Sequence, residues 1–379
     1  MWVLFPFVTK IATIARTVPR SNTIRRFIYI VYTIMTTAIA KDTDRKLWQS
    51  DHPLQSWEWG EVRKKVGILV IRFITIDKEK RRYFTVTIHS IGFGKTMAYL
   101  ARSVWPSEAE LNVIIPVLKT YNAIALKLEP DMYIEQSGEY HIPLLYRHWN
   151  NNGLEFVRSN ASIFGKHTFL VDLTPSEEEI LRRMKQKTRY NIRIAQKHDV
   201  VVKDLSSSKE GFDTFFSLYQ DTQHRQKYLG HGKDYHRAVW DGMKEKYSKL
   251  FVAFYKGLPL AAYHIMYSDT RAFYVYGGTS SEQKQVMASN LLMWEVIRDA
   301  KKQGKRYFDM WGALPENYDP KDPWSGFHRF KEGYGGRHMT YMPTIDVVMD
   351  KLWYSLFSLA WPIRNKLLEL KSILTTSHV

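Results

Sequence analysis

A mixed α/β (α+β) fold in two domains follows from three observations on this sequence. The first is length: 379 residues exceed what one hydrophobic core ordinarily supports. The second is composition, since 45% hydrophobic and 25% charged residues fall in the globular range. The third is that short β-rich runs alternate with helical periodicities in both halves of the chain, and that the second half closes on the order strand, strand, helix, strand.

Taken in order, residues 1–47 read as an N-terminal extension. Its first 40 residues carry Lys10, Arg16, Arg20, Arg25 and Arg26 with no acid, and Phe27 to Ala40 is an uncharged run of 14 residues. That run falls short of the roughly 20 residues a bilayer span needs. It also lacks the small-residue cleavage site of a simple secretory leader. A membrane-surface segment and an ordinary packed extension remain the two readings. The first domain is placed at 48–171, with strands in Gly67–Ile76 and Phe84–Ile91 and a helix from Ser107 to Asn122. The second is placed at 172–345. Thr174-Pro175-Ser176-Glu177 has the form of a capping box, so a helix is expected from Pro175 with Thr174 as its cap. This helix carries Arg182, Arg183, Lys185, Lys187, Arg189, Arg193 and Lys197 without an intervening acid, opposite Ile180, Met184, Ile192 and Ile194. A further helix is expected at Gly211–Tyr219. Strands follow at Leu250–Tyr255, Leu260–Tyr267 and Thr270–Tyr276, a helix at Ala288–Gln303 and a strand at Arg306–Met310. Asp346 to Lys371 reads as one amphipathic helix, interrupted at Pro362 and returning to the first domain.

Chemistry is bounded by composition as well. The chain has no cysteine, which excludes disulfides, thiolate nucleophiles and Cys-ligated metals. Its 13 His show no metal-ligand spacing, so neither a metal nor a cofactor is expected. A formal charge of +17 favours an anionic partner such as nucleic acid, anionic lipid or a phosphorylated substrate.

Three segments carry a more specific signal: Leu54-Gln55-Ser56-Trp57-Glu58-Trp59-Gly60, Met184 to Ala195 (MKQKTRYNIRIA) and Gly326 to Gly336 (GFHRFKEGYGG). Together, and in this order, they resemble the FemAB family of aminoacyl-tRNA-dependent transferases of peptidoglycan interpeptide bridges, over roughly residues 50 to 371. The resemblance implies two tandem acetyltransferase-like (GNAT) domains. No sustained heptads support the long coiled-coil arm of some members, so a compact type is expected.

The resemblance also assigns roles. Lys331, in the pair Phe330-Lys331, falls where the family contacts the aminoacyl-tRNA terminus; its ammonium would stabilise the tetrahedral oxyanion while Phe330 stacks on a terminal base. On residue chemistry alone, Lys331 is one of 55 basic residues and Phe330 a core aromatic. Arg63 or Lys64 matches a phosphate-contacting lysine for the diphosphate of a peptidoglycan precursor. His231 and Tyr235 stand where the family tends to have Arg and Tyr, a departure that leaves Lys233 as a substitute cation, and Tyr276 falls at a substrate-contacting tyrosine. Arg182, Arg183, Lys185 and Lys187 are candidates for tRNA phosphates, with a solvated helix face as the alternative. Arg189 and Asn191 are read as closing the junction between domains, and Asp309 and Asp346 as structural acids. No general base is assigned, because Tyr99 to Pro106 lacks the aspartate that some members carry.

The expected activity is transfer of an aminoacyl group from tRNA to the stem peptide of a precursor, soluble or lipid-linked. The expected location is the cytoplasm or the cytoplasmic face of the membrane. Two alternatives stand beside it: an acyl-CoA-dependent N-acyltransferase, against which the absence of a phosphate-cradling glycine run at Gln283–Asn290 counts, and a non-catalytic RNA- or membrane-surface-binding protein.

Overall fold

The computed structural model describes residues 35–78, 80–134, 155–159, 162–226 and 230–361. Most of the predicted N-terminal extension, and residues 362–371 of the predicted last helix, lie outside them.

The first sheet has seven strands, in the order β1 (Thr36–Ile39), β2 (Leu69–Asp77), β3 (Lys80–Gly92), β4 (Lys95–Ser103), β5 (Ala123–Pro130), β15 (Ile345–Val348) and β7 (Glu155–Arg158). β1 pairs antiparallel with β2, so residues 36–39 of the predicted extension are part of this sheet. Between them lies α1 (Trp57–Lys65), capped by Ser56, whose hydroxyl accepts from Trp59 N–H at 3.0 Å. The neighbouring Gln55 is buried. Its amide donates to the Ala101 carbonyl at 2.6 Å and accepts from Thr85 N–H at 2.8 Å, tying α1 to β3 (Lys80–Gly92) and β4 (Lys95–Ser103). The Gln-Ser-x-x-Trp segment is therefore a scaffold device. A crossover helix, α2 (Glu108–Lys119), leads to β5 (Ala123–Pro130), which runs parallel to β4. α2 packs Leu111, Ile114, Ile115 and Leu118 on the sheet, as its 3.6-residue period requires.

The chain then leaves this sheet. β6 (Tyr133–Ile134) forms the edge of the second sheet, β7 (Glu155–Arg158) belongs again to the first, and β8 (His167–Asp172) to the second. After β8 the expected single basic helix is two: α3 (Glu177–Arg183) and α4 (Gln186–Lys197), broken at Met184–Lys185. The cap of α3 is Ser176, not Thr174. Ser176 accepts from Glu179 N–H, whereas Thr174 donates to the Asp172 carboxylate in a local turn. Both residues offer a hydroxyl at a helix start, and the prior claim of Asp172 on Thr174 decides between them.

β9 (Val201–Asp204), α5 (Lys209–Gln226) and α6 (Lys233–Met243) precede the antiparallel run β10 (Ser248–Tyr255), β11 (Leu258–Tyr267) and β12 (Arg271–Thr279). The crossover helix α7 (Ala288–Lys302) then leads to β13 (Tyr307–Asp309), parallel to β12. Each sheet thus contains an antiparallel hairpin, a crossover helix and a parallel strand, the repeat expected of tandem GNAT-like domains. α8 (Ser325–Glu332), β14 (Arg337–Tyr341) and β15 (Ile345–Val348) follow, the second sheet being ordered β6-β14-β8-β13-β12-β11-β10-β9.

The predicted terminal helix from Asp346 needs correction. Asp346 sits in β15, which inserts between β5 and β7, and the helix α9 spans 351–361. Asp346 is held in the sheet by the buried Lys127 ammonium at 2.8 Å. α9 does return to the first sheet, resting Trp353, Tyr354 and Phe357 on Met97, Ile124 and Ala125.

Candidate active site

Two motif segments meet in the second half. Lys185 N–H donates to the Gly333 carbonyl at 2.9 Å, and a Cβ on Gly333 would lie 2.2 Å from Thr188 Oγ1, so a larger residue would have to displace that hydroxyl. Gly335, at φ +73°, leaves no room for a Cβ beside the Arg183 carbonyl. The short helix α8 is thereby clamped against the α3–α4 junction, and Lys331 on its last turn points into the second sheet.

What it points into is an opening. β12 and β13 pair over only three positions, Arg271↔Tyr307 to Phe273↔Asp309, while β12 runs on to Thr279. Past β13 the chain turns away at Trp311 (φ 53°) and Gly312 (φ 80°), so the parallel strands splay. Lys331 Nζ fills the gap. It donates to the Trp311 carbonyl and, at 2.8 Å, to that of Gly312, and lies 3.6 Å from the Phe327 ring centroid and 5.3 Å from that of Tyr274. The side chain is fully buried. Burial pushes its ammonium well below the ordinary lysine range, and the Asp309 carboxylate works in the opposite direction. Two of its N–H groups are taken by carbonyls, leaving one for a reacting oxygen.

The other face of β12 carries the second cluster. Alternation sends Ala272 and Tyr274 into the core beneath α7, and Phe273 and Val275 to the opposite side. An irregularity between His264 and Ile265 of β11 adds one residue to β12, so Tyr276 pairs with His264 and joins the same opposite face as Val275. There Tyr276 meets α6 and the end of α1. Arg63 lies over the rings of Trp59 and Tyr235, at 5.6 and 5.9 Å, with Nη1 3.5 Å from the Tyr235 hydroxyl. His231 stacks on Tyr235 at 3.8 Å. Arg63, His231, Tyr235 and Tyr276, 213 residues apart at the extremes, form one half-buried pocket. Burial, then the charge of Arg63, lowers the His231 imidazole, so it is a neutral hydrogen-bonding group at pH 7 and Arg63 is the cation. Burial, with the Tyr235 oxygen next in weight, holds the Tyr276 hydroxyl protonated and able to donate.

The remaining candidates fall elsewhere. Lys64 turns outward to Glu61 at 3.1 Å, and Lys233 pairs with Asp213 at 2.9 Å. Phe330 is half-buried, edge-on to Tyr334 at 5.4 Å; the exposed aromatic against Lys331 is Phe327, with Trp324 edge-on to it at 5.8 Å. Arg182 and Arg183 are engaged by Glu179, and Lys185 by Glu332 at 2.6 Å, while Lys187 is exposed. Arg189 caps the α3 carbonyls of Arg182 and Met184, and Asn191 reaches Asn290 on α7. Both tie elements within the second half instead of closing a junction between halves. Trp311 and the buried His236, whose ring lies 4.7 Å from that of Tyr276, belong to the site without having been anticipated, and Asp309, read from the sequence as a structural acid, lies beside Trp311 in it. The sequence trace of Trp311 is the compact run Asp309-Met310-Trp311-Gly312, which closes a short strand on a turn.

Comparison with known proteins bears on this architecture. Residues 182–322 match the family model described as an acetyltransferase (GNAT) domain. The lipid II:glycine glycyltransferase of Staphylococcus haemolyticus (strain JCSC1435) is 18% identical over 343 residues, covering 72% of this chain and 81% of its own length. The protein of the same name from Staphylococcus aureus (strain USA300) is 18% identical over 389 residues, covering 83% and 92% respectively. Among solved structures, that of FemX superposes with a TM-score of 0.74 at 16% identity, over 86% of this chain and all of its own.

Proposed function

We propose that the chain is an acyltransferase of the FemX/FemAB type, built on the GNAT fold, and that it transfers an aminoacyl group from aminoacyl-tRNA to an amine on the stem peptide of a peptidoglycan precursor. The names of its glycyltransferase relatives support the acceptor class. The observation that carries the reading of the chemistry is the Lys331 ammonium, buried in the splay between β12 and β13, with the Arg63–Tyr235 pocket on the other face of the same strand.

The donor ester is already activated, so no covalent enzyme intermediate is required. The acceptor amine adds to the ester carbonyl, forming the C–N bond and a tetrahedral oxyanion. Collapse breaks the C–O bond to the ribose, and the proton lost by the amine ends on that leaving oxygen. Lys331 offers its remaining N–H to the oxyanion in a site closed to water, where a fixed donor acts most strongly. Arg63 is placed to hold a precursor phosphate, with His231, Tyr235 and Tyr276 supplying neutral hydrogen bonds around it. The exposed face of α4, at Lys187, together with Arg182, Arg183 and Lys185, is assigned to the tRNA backbone. A cytoplasmic or inner-membrane-face location follows from the substrates. Among the described residues no helix is long and apolar enough to cross a membrane.

The test is transfer of radiolabelled amino acids from a mixed pool of charged tRNA onto nucleotide-linked and lipid-linked precursor, with acetyl-CoA as a parallel donor. Wild type should label a precursor from tRNA, and Lys331→Ala should lower the single-turnover rate by about 10²- to 10³-fold. Label from acetyl-CoA alone would instead establish an N-acyltransferase.

A further inference from the structure

The carbonyls that hold Lys331 belong to a turn the sequence does not favour by itself. Trp311 has a positive φ, a region that a bulky residue enters only when its surroundings compel it. Asp309 supplies that constraint. Its Oδ1 accepts from Trp311 N–H at 2.8 Å and from the Thr168 hydroxyl, and its Oδ2 accepts from the Tyr341 hydroxyl at 2.7 Å and that of Tyr133 at 3.3 Å. The carboxylate is fully buried. Its four donors come from β6, β8, β14 and the turn itself, so three strands converge on the acid that shapes the seat of the lysine. The transfer chemistry uses Lys331 and gives no role to this neighbour.

We propose that Asp309 is the positioning residue of the active site: it locks the Trp311–Gly312 turn whose carbonyls aim Lys331 Nζ into the splay, and it supplies that buried amine with a carboxylate counter-charge. The proposal rests on the role given above to Lys331.

The surrounding groups leave this task to Asp309. Arg271 on β12 is neutralised by Asp131. Arg102 on β4 lies 3.6 Å over the Tyr341 ring and donates to the Gly165 carbonyl. His52 has Nδ1 accepting from Leu54 N–H, and burial, then Arg271 and Arg102, hold it neutral. On α8 itself, burial lowers His328, whose Nδ1 accepts from Leu314 N–H, and Glu332 is paired with Lys185. Tyr133 and Tyr341 stay protonated, first through burial and then through Asp309, and so act as donors to the acid. Among the described residues, Asp309 is the carboxylate whose charge acts on Lys331.

The experiment compares wild type, Asp309→Asn and Tyr341→Phe in the full-length protein by two readouts. One is the pH profile of single-turnover transfer. The other is the NMR titration of the ¹⁵N-labelled Lys331 side chain, assigned by its loss in Lys331→Met. Asp309→Asn should lower the rate at pH 7 about tenfold or more with KM for both substrates within about twofold. It should also move the Lys331 titration and the alkaline limb of the profile down by about one pH unit. Tyr341→Phe, which removes a donor but leaves the acid, should move neither downward. A slower Asp309→Asn with both titrations where wild type has them would reduce Asp309 to a structural acid and overturn the proposal. Should Asp309→Asn fail to fold, the double variant Thr168→Val, Tyr341→Phe strips two donors from the carboxylate and should raise the Lys331 titration; an unchanged value there overturns the proposal equally. A wild type inert in transfer, but whose Lys331 titration still responds to Asp309→Asn, would sink the proposed reaction and leave the pairing standing.

Discussion

His236 is buried beside the pocket with neither ring nitrogen hydrogen-bonded to a described residue, and burial, then His231, lowers its pKa from 6.5 to about 4. The folded protein therefore binds this proton more weakly than the unfolded chain does. Stability contributed by the neutral ring is complete above pH 6.5 and is lost as pH falls from there toward 4. Urea unfolding at pH 7 and pH 4.5 should show that His236→Gln loses about 2–3 kcal/mol less than wild type over that interval. A difference between the two proteins that does not change with pH would assign the acid sensitivity elsewhere. At this scale the sequence was legible where a family motif named the residue, as for Lys331, and blind where the residue acts through burial. His236 is one of 13 histidines and nothing in its neighbours marks it.

At the scale of elements, successive helical residues project about 100° apart, so Arg63 and Lys64 cannot both face the pocket. The sequence left the choice open; the packing of α1 against α6 makes it. Arg63→Ala should raise KM for the precursor about tenfold or more, the worth of one charge-assisted contact, while Lys64→Ala should leave it within about twofold. Steady-state kinetics with precursor varied would decide, and equal effects would place the phosphate contact elsewhere. Tyr276 makes the same point for a strand. Without the extra residue in β12 it would follow Tyr274 into the core, and no local signal announces that bulge.

For the whole molecule, the two sheets are interlocked by their ends. β6 leaves the first half to edge the second sheet, and β15 comes from the far end of the chain to sit between β5 and β7. The Lys127–Asp346 pair fastens β15 to β5 from within, reinforced by the Tyr354 hydroxyl at 2.8 Å from Asp346 Oδ2. Asp346→Ala would strand a buried ammonium and should cost about 3–5 kcal/mol, read as a lowered urea midpoint with an unchanged slope. A loss below about 1 kcal/mol would mean that β15 is held by its backbone ladder alone.

The sequence by itself determined the fold class and most central elements, because hydrophobic period acts within a few positions of itself; the two segments around Lys331 were legible through the family resemblance, and their meeting was a matter of tertiary structure. The four pocket residues were legible as candidates through the family motif. Three decisions belonged to the tertiary structure: Asp346 as a strand residue, since an amphipathic pattern does not reveal that Lys127 waits buried across the sheet; Arg63 over Lys64, since both are cations on one turn; and the turn of Trp311 and Gly312 beneath Lys331, since its positive φ is compelled by Asp309 and the three strands that converge on that carboxylate.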